Sequence, residues 1–265
     1  MRVWTFGGST TEYPWPTWAD ILIHNAQSLG YQGANWGRCG ASNSYIVSRI
    51  MECHAKNTLG KDDWVFVCFT PFFRESWYVE NKGWHLPGRV PDNTVSDVIG
   101  TKKTFYIDPA HYAMRDCSSI LSIKLALEAL GVNYAFWFDH DMYLPNEKLA
   151  KSEQFNFDTV LKTYENLIKP THKPMQGLVY RKYKFDSYWL YESKPPSPQP
   201  EVHPTPKEYS DYVEKNLVPT VEWLSTGLHP ETVKFVNEWE IKIRASNSIN
   251  LTETGWKVPQ EGQWG

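Results

Sequence analysis

The sequence has no excess of positive charge. Its 265 residues include 27 Lys and Arg against 30 Asp and Glu, which gives a formal net charge of -3 and an isoelectric point of about 6.2. The chain as a whole therefore has no basic field that would attract nucleic acid or an anionic membrane surface. We expect neither nucleic acid nor a membrane among its partners.

Long apolar runs are also missing. No stretch approaches the ~18 apolar residues of a transmembrane helix. No charged segment followed by an apolar one opens the chain, as it would in a signal peptide, and strand-like residues begin almost at Met1. The sequence therefore predicts a cytoplasmic protein, or one carried in a particle such as a phage virion.

Cysteine is scarce, and the cysteines are widely spaced. They are Cys39, Cys53, Cys68 and Cys117, and no two of them form a Cys-x-x-Cys pair. Thioredoxin-like motifs and cysteine-based zinc sites use such close pairs, so neither is predicted. We expect reduced thiols, and the sequence implies no cofactor.

Aromatic residues, in contrast, are abundant, with 13 Trp, 15 Tyr and 12 Phe. Such side chains fill cores, and they also stack on sugars and bases. A hydrophobic fraction of 41% is sufficient for one large α/β domain. Either a packed core or a sugar-stacking wall would accommodate Trp15, Trp18, Trp77 and Trp84.

Strand-like and helix-like segments alternate along the chain. Short apolar runs predict strands, and apolar residues at helical spacing predict helices. The predicted strands are Val3–Phe6, Gln32–Asn35, Trp64–Phe69 and Asn133–Phe138, and helices are predicted within 14–30, 37–55, 111–131, 157–168, 207–217 and 232–243. This alternation predicts an α/β fold, a parallel sheet with helices on both faces.

Polar or glycine-containing segments follow each predicted strand. They are Ser9, Gly37–Gly40, Thr70–Arg74 and Asp139–Asp141. Right-handed crossovers place the carboxyl ends of parallel strands on one edge of the sheet, and ligands of open α/β sheets bind outside that edge. We therefore expect these segments to line a functional site.

The remaining stretches are less regular. Residues 76–110 show no clear periodicity, residues 185–206 are rich in proline, and the C-terminal residues have little pattern. We predict one α/β domain over residues 1–220 with a loop insertion near 76–110. Residues 221–265 are predicted to add a C-terminal helix and an irregular tail that pack on the same domain.

Two residues have the chemical character of an acyl-transfer site. Ser9 follows two glycines at the exit of the first strand, where it is either a nucleophile or an N-cap of the following helix. His203 lies in Glu201-Val202-His203-Pro204, before a helix, where it is either a general base or a surface histidine. His229 is also followed by a proline, so the dipeptide alone does not identify the base.

The order of these segments resembles the SGNH (GDSL-like) hydrolase family over roughly residues 1–220. Gly7-Gly8-Ser9 is similar to the first family block, Gly-Asp-Ser, with Gly8 in place of the aspartate. Asn35-Trp36-Gly37-Arg38-Cys39-Gly40 is similar to the second block. The third block supplies an asparagine that is absent from Phe69–Glu75, and in the last block Glu201 lies two residues before His203 instead of three.

The resemblance implies a flavodoxin-like, three-layer α/β/α fold and hydrolysis of a small-molecule or carbohydrate ester. Ser9 would attack the acyl carbonyl, His203 would move the proton, and Glu201 would orient His203. The amides of Ser9 and Gly40 would hold the oxyanion. Thr70 or Arg74 would replace the missing asparagine, or Arg74 would bind a substrate carboxylate or phosphate.

Two further acidic segments are candidates for the site, and the sequence leaves two other functions open. Glu12 is an acid close to Ser9 and is a candidate for the same pocket. Asp139-His140-Asp141 fits a turn or a substrate contact, or else a divalent-cation site. The alternatives to a serine esterase are accordingly a binding protein on the same fold with an altered site, and a metal-dependent hydrolase that uses Asp139 and Asp141.

Overall fold

Strands and helices alternate in the computed structural model, which describes residues 1–72, 74–79, 83–89, 109–139, 151–175, 189–190, 199–200 and 203–245. In chain order the strands are β1 (Arg2–Gly7), β2 (Gln32–Asn35), β3 (Asp63–Phe69), β4 (Arg74–Val79), β5 (Gly83–Arg89), β6 (Asn133–Phe138), β7 (Trp189–Leu190) and β8 (Gln199–Pro200). The α-helices are α1 (Trp18–Ser28), α2 (Asn43–Asn57), α3 (Pro109–Ala129), α4 (Lys151–Ile168), α5 (Pro206–Tyr212) and α6 (Pro230–Ala245).

Four of these strands form a parallel sheet in the order β2-β1-β3-β6. This is the order in which flavodoxin-like folds begin, with the first strand between the second and the third. β1 and β3 are buried along most of their length, and a parallel strand covered on both faces is apolar almost throughout. The predicted α/β fold with a parallel sheet is confirmed.

Each face of the sheet has its own apolar core. Alternate side chains of a strand point to opposite faces, and in β3 Val65, Val67 and Phe69 pack on the side of α2, α3 and α4. Phe66 and Cys68 pack on the other side, with α1, α5 and α6. Helices thus cover both faces, and the sheet is the middle of three layers.

The stretch after β3 contains an antiparallel hairpin of β4 and β5, where the sequence indicated an insertion without periodicity. The hairpin packs on α2. The Trp84 ring of β5 meets the Tyr45 ring of α2 edge to face, with the ring centroids 5.0 Å apart. Arg49 of α2 lies over the Trp84 ring. The hairpin therefore covers the start of α2, close to the carboxyl edge of the sheet. Residues 90–108 of the predicted insertion lie outside the described residues.

Two helices differ most from their predicted bounds. α4 begins at Lys151, before the predicted start at residue 157, because its polar first turn has no apolar residues to mark it. The predicted helix 207–217 is α5 followed by a π-helical turn, Val213–Leu217. The wider turn keeps Val213 and Leu217 both fully buried against the sheet.

The C-terminal helix α6 packs on the same side of the sheet as α1. Val236 belongs to the core that contains Trp18 and Ile21 of α1, and Ile243 packs with Tyr13 and Trp15. This packing supports the proposal that the C-terminal helix is part of the α/β domain. The predicted tail after residue 245 lies outside the described residues. Among the helices that the structure describes, none has the length and apolarity to cross a bilayer.

A close approach between α1 and β2 generates a first prediction. A Cβ at Gly33 would lie 2.7 Å from the Val3 carbonyl oxygen and 2.8 Å from the Cδ1 of Ile23. The backbone oxygen belongs to a paired strand and has little freedom to move. We expect Gly33→Ala to lower the free energy of unfolding by about 1–3 kcal/mol, measured by urea denaturation.

Gly60→Ala is the matched control, because a Cβ at Gly60 would meet no atom within 4 Å. We expect it to change the free energy of unfolding by less than about 1 kcal/mol. Equal stability of the two variants would contradict the close packing of α1 on β2.

Candidate functional site

Ser9 lies in a tight turn at the carboxyl end of β1. The Gly8 carbonyl accepts hydrogen bonds from the amides of Thr11 (2.9 Å) and Glu12 (3.0 Å), which closes the turn around Ser9. Ser9 is half-buried, and α1 begins only at Trp18, so Ser9 does not cap that helix. Ser9 follows β1 at the edge where open α/β sheets bind ligands.

The loop after β2 is bound directly to the Ser9 turn. The Arg38 amide donates to the Gly7 carbonyl at 2.9 Å. The Cys39 amide donates to Oε2 of Glu12 at 2.6 Å, and the Arg38 guanidinium is 3.4 Å from Oε1 of the same carboxylate. Glu12 thus anchors the loop to the turn that carries Ser9.

Gly40 closes this loop with a backbone conformation that favours glycine. Its φ is +81°, and a Cβ would lie 2.6 Å from the Leu86 carbonyl oxygen of β5. Within the part of the chain that the structure describes, neither the Gly40 amide nor the Ser9 amide donates a hydrogen bond. Both N–H groups therefore remain available at this edge.

A buried amide joins the loop, the turn and α1. Nδ2 of Asn35 donates to the Thr11 carbonyl (2.8 Å) and to Oδ1 of Asp20 (2.9 Å). Oδ1 of Asn35 accepts from the Gly37 amide at 2.8 Å. Asn35 and Thr11 are fully buried and Asp20 is 1% exposed, so the orientation of the amide is fixed. The end of β2 and the Ser9 turn therefore move as one unit.

Asp20 is the charged partner in this network. Its Oδ2 accepts from the amide and the hydroxyl of Thr17, at 2.8 and 3.0 Å. Burial raises the pKa of Asp20 to about 7, although the hydrogen bonds from Thr17 and Asn35 act in the opposite direction. Sequence reasoning missed Asp20, because an acid in the first turn of a helix is common.

The segment after β3 is held by the amide of Asn43 at the start of α2. Oδ1 of Asn43 accepts from the Thr70 amide, and Nδ2 donates to the Thr70 carbonyl, both at 2.9 Å. The Thr70 hydroxyl is directed inward, toward the Ala41 carbonyl and Oδ1 of Asn43 at 3.2 Å. It is therefore engaged away from Ser9.

The Thr70 methyl group explains the glycine at position 8. A Cβ on Gly8 would lie 2.4 Å from Cγ2 of Thr70, which is fully buried. Gly8 replaces the aspartate of the family pattern, and Thr70 lies in the segment from which the family asparagine is missing. The two departures are thus linked, because the Thr70 methyl group occupies the volume of a side chain at position 8.

Arg74 approaches the Ser9 turn from the start of β4. Its Nη1 would be 3.8 Å from a Cβ on Gly8. Its Nε is buried without a hydrogen-bond acceptor, and Arg74 forms no ion pair with another residue in the described ranges. Glu75, the neighbour that might have neutralised Arg74, pairs with Arg115 instead. The Arg74 guanidinium therefore lies near the turn and has no acid partner among the described residues.

Arg115 of α3 fixes the backbone of this segment. Its guanidinium donates to the Arg74 carbonyl (2.9 Å), to Glu75 (2.6 Å) and to Oδ1 of Asp116 (2.8 Å). Asp116 also accepts from Nδ2 of Asn43 at 3.0 Å, and burial raises its pKa to about 6. Asn43, Arg115 and Asp116 were missed by sequence reasoning, since nothing in the pattern shows which polar residues of a helix face inward.

His203 lies against residues that follow Ser9 closely in sequence. Its ring stacks on Tyr13 with a centroid distance of 3.9 Å and an interplanar angle of 23°. Nε1 of Trp15 donates to the carbonyl of Pro204, the next residue, at 2.8 Å. The segment Ser9–Trp15 thus carries the candidate nucleophile at one end and contacts the candidate base at the other. Glu201 lies outside the described residues.

Asp139 directly follows β6 and continues its pairing with β3, because its amide donates to the Phe69 carbonyl at 2.8 Å. It is only 3% exposed. Burial and the nearby Asp139 charge both raise the pKa of Cys68, whose thiol is 3.6 Å from Oγ1 of Thr10 beneath the Ser9 turn. His140 and Asp141 lie outside the described residues. Among the residues that are described, no cluster of three or more His, Cys, Asp or Glu side chains could hold a metal ion.

Two of the four tryptophans considered for a sugar-stacking wall, Trp15 and Trp18, are core residues. Trp15 is 2% exposed and Trp18 is fully buried, so neither offers a face to a ligand. Trp84 is half-buried between Tyr45, Tyr78 and Arg49. The side chain of Trp77 lies outside the described residues. Core packing explains Trp15 and Trp18.

Comparisons with known proteins find similarity only to solved structures. No protein family and no curated protein matches the sequence. The matches include an acetyl xylan esterase Axe2 variant from Geobacillus stearothermophilus (13% identity, 80% of this chain and 91% of that chain, TM-score 0.41). They also include a member of the lipolytic G-D-S-L family from Veillonella parvula (14% identity, 79% of this chain and 92% of that chain, TM-score 0.39). A third match is the esterase EstA from Pseudoalteromonas (7% identity, 70% of this chain and 84% of that chain, TM-score 0.40).

The matched structures thus include the family that the sequence motifs resemble. At TM-scores near 0.4 they add nothing to the argument about the activity of this chain. That argument comes from the residues at the carboxyl edge of the sheet.

The contact between positions 8 and 70 can be tested by a double-mutant cycle. Gly8→Ala places a methyl group against Cγ2 of Thr70, and we expect a loss of about 1–3 kcal/mol in unfolding free energy. Thr70→Ser removes that methyl group and keeps the hydroxyl. In the Thr70→Ser background Gly8→Ala should therefore cost at least about 1 kcal/mol less. Additive effects would show that the Thr70 methyl group does not determine the residue at position 8.

Asp20 makes the stability of the protein depend on pH. Its pKa is about 7 in the folded state and 3.8 in the unfolded chain, so the folded state binds more protons between these values. The free energy of unfolding therefore falls as pH rises from about 4 to 7, with a slope of up to about 1.4 kcal/mol per pH unit. Asp20→Asn should be less stable at low pH, because an amide has one acceptor oxygen and cannot accept from both Thr17 and Asn35. Its stability should also change less with pH.

Urea denaturation between pH 6 and 7 isolates this effect. Asp116 also titrates, but its pKa of about 6 limits its contribution mainly to lower pH. The stability difference between wild type and Asp20→Asn should shrink as the pH rises through this interval. Parallel stability curves would contradict a buried Asp20 with a raised pKa.

Proposed function

We propose that the protein is a serine hydrolase that cleaves a carboxylic or carbohydrate O-acyl ester, with Ser9 as nucleophile and His203 as general base. One observation carries the proposal: the short segment that begins at Ser9 also contacts His203, through the ring of Tyr13 and through the bond from Trp15 to Pro204. Serine acyl transfer requires a base within hydrogen-bond reach of the nucleophile, and this contact supports the proposal because it brings the backbone segments of Ser9 and His203 together.

The reaction follows from the roles of the two side chains. Oγ of Ser9 attacks the acyl carbonyl while an imidazole nitrogen of His203 takes the hydroxyl proton. The tetrahedral intermediate collapses to an acyl-serine, and the imidazolium gives its proton to the departing alcohol. Water, deprotonated by His203, then attacks the acyl-serine, and the acid leaves with Ser9 regenerated.

Three donors are available for the negative charge of the tetrahedral intermediate. The amides of Ser9 and Gly40 have no acceptor among the described residues, and backbone amides of this kind form oxyanion holes. Arg74 is the third donor in this proposal, because its guanidinium lies near the Ser9 turn and has no acid partner among the described residues. The Thr70 hydroxyl is engaged internally, so the proposal assigns the place of the missing asparagine to Arg74.

The other predicted site residues take supporting roles in this proposal. Glu12 holds the loop that carries Gly40 through the Cys39 amide. Thr70 packs against Gly8, and Asp139 lies at the floor of the site with little surface for substrate. Glu201 remains the proposed acid that orients His203.

The proposal is tested by covalent labelling with a fluorophosphonate, which reacts with activated serines. We expect one adduct, mapped to Ser9 by mass spectrometry and absent from Ser9→Ala. His203→Gln should slow labelling by about 100-fold or more, because the serine loses its general base. Arg74→Gln should slow it by about 10-fold or more, because the phosphonyl oxygen uses the same donors as the oxyanion.

His229→Gln is the matched control. His229 is also followed by a proline and precedes a helix, but its amide bonds to Asn25 of α1 and its Nδ1 accepts from the Glu231 amide. This variant should be labelled at the wild-type rate. A folded wild-type protein that gains no label at Ser9 would refute the hydrolase proposal and favour a binding protein on this fold.

A further inference from the structure

We propose that Tyr13 and Trp15 are positioning residues that hold the His203 imidazole in place for proton transfer with Ser9. The inference rests on the proposed function, and it adds residues that no motif in the sequence marks. We call Tyr13 and Trp15 together the aromatic clamp. It acts on His203 in two ways, through the ring and through the backbone.

The ring contact restricts the plane of the imidazole. Tyr13 and His203 stack with centroids 3.9 Å apart and planes 23° from parallel. Tyr13 is 8% exposed and meets Trp15 edge to face, with a centroid distance of 4.5 Å and an angle of 75°. A buried tyrosine fixed by a second aromatic ring presents a rigid surface to the histidine. Stacking on this surface favours an imidazole plane close to that of the Tyr13 ring.

The backbone contact restrains the main chain next to His203. Nε1 of Trp15 donates to the Pro204 carbonyl at 2.8 Å, and Trp15 is 2% exposed, so the bond is shielded from water. Thr205 then caps α5, in a box with Glu208, and Pro206 occupies the first turn of the helix. The residues immediately after His203 are therefore restrained from both sides, which fixes the Cα of His203 as well as its ring.

The C-terminal helix α6 supports the clamp from behind. Ile243 and Trp239 pack against Tyr13 and Trp15. Oε2 of Glu240 accepts a hydrogen bond from the Lys207 amide in the first turn of α5, at 3.1 Å. α6 thus contacts both the aromatic clamp and α5, the helix that follows His203. It links the positions of the two.

The clamp also suits the charge that His203 acquires during the reaction. When His203 takes the Ser9 proton it becomes an imidazolium cation. The face of an aromatic ring attracts a cation within about 6 Å of its centroid, and the Tyr13 ring lies well inside that distance. The Tyr13 face therefore accommodates the imidazolium that forms at His203 during the reaction.

Conservative and disruptive variants separate this role from simple core packing. Tyr13→Phe keeps the stacked ring, whereas Tyr13→Leu fills similar space without an aromatic face. Trp15→Phe keeps an aromatic ring but removes the donor to Pro204 and part of the indole volume. Trp223→Phe is the matched control, because Trp223 contacts Tyr31 and Phe66, away from the Ser9 turn.

The first readout is the proton NMR spectrum of the histidine rings, with the His203 signals assigned by their loss in His203→Gln. Stacking on Tyr13 should shift the His203 ring protons upfield. The upfield shift should persist in Tyr13→Phe and Trp223→Phe and disappear in Tyr13→Leu. An unchanged shift in a folded Tyr13→Leu protein would overturn the clamp, whatever the activity of the protein.

The second readout is the rate of fluorophosphonate labelling at Ser9, with folding checked by circular dichroism. We expect Tyr13→Leu and Trp15→Phe to label about tenfold more slowly, as part of the general-base contribution is lost. Tyr13→Phe and Trp223→Phe should label within about threefold of wild type. Wild-type rates in Tyr13→Leu and Trp15→Phe would overturn the positioning role. If the wild-type protein shows the upfield shift but gains no label at Ser9, the clamp stands and the hydrolase proposal is refuted.

Discussion

The buried amide of Asn35 is the contact on which the candidate site depends. It accepts from the Gly37 amide and donates to Thr11 and Asp20, so one side chain joins β2, the Ser9 turn and α1. Losing that side chain would remove one hydrogen bond each from the Gly37 amide, the Thr11 carbonyl and Asp20, and a hydrogen bond of this kind contributes about 0.5–1.5 kcal/mol. The nucleophile turn and the Gly40 loop are therefore fixed by the same interaction.

The parallel sheet could be predicted because its strands are buried on both faces. Two strands, Gln32–Asn35 and Asn133–Phe138, have the predicted bounds, and β3 begins one residue earlier than expected. The hairpin of β4 and β5 could not be predicted, since its sequence mixes charged, glycine and tryptophan residues. Its stability comes from docking on α2, which is a long-range contact that no local pattern reveals.

Within the candidate site, too, some residues could be predicted from the sequence and others could not. Ser9, the Gly40 loop, Arg74 and Asp139 follow strands, so the topology of the sheet was enough to group them on one edge. The polar residues that fix them come from helices instead. Asn43, Arg115 and Asp116 bind the segment after β3, and Asp20 binds Asn35. Local sequence does not show which helical residue turns inward, so this supporting network appears only in three dimensions.

The position of α6 has a consequence for the order in which the protein matures during synthesis. Ribosomes deliver the chain from its N-terminus, and domains fold as their segments emerge. The turn with Ser9 emerges first, yet Ile243 and Glu240, which support Tyr13, Trp15 and the start of α5, are among the last of the described residues to appear. The proposed nucleophile, Ser9, is thus made early, and the proposed base, His203, is secured late. A nascent or truncated chain without α6 would have the serine but not the support for the histidine beside it.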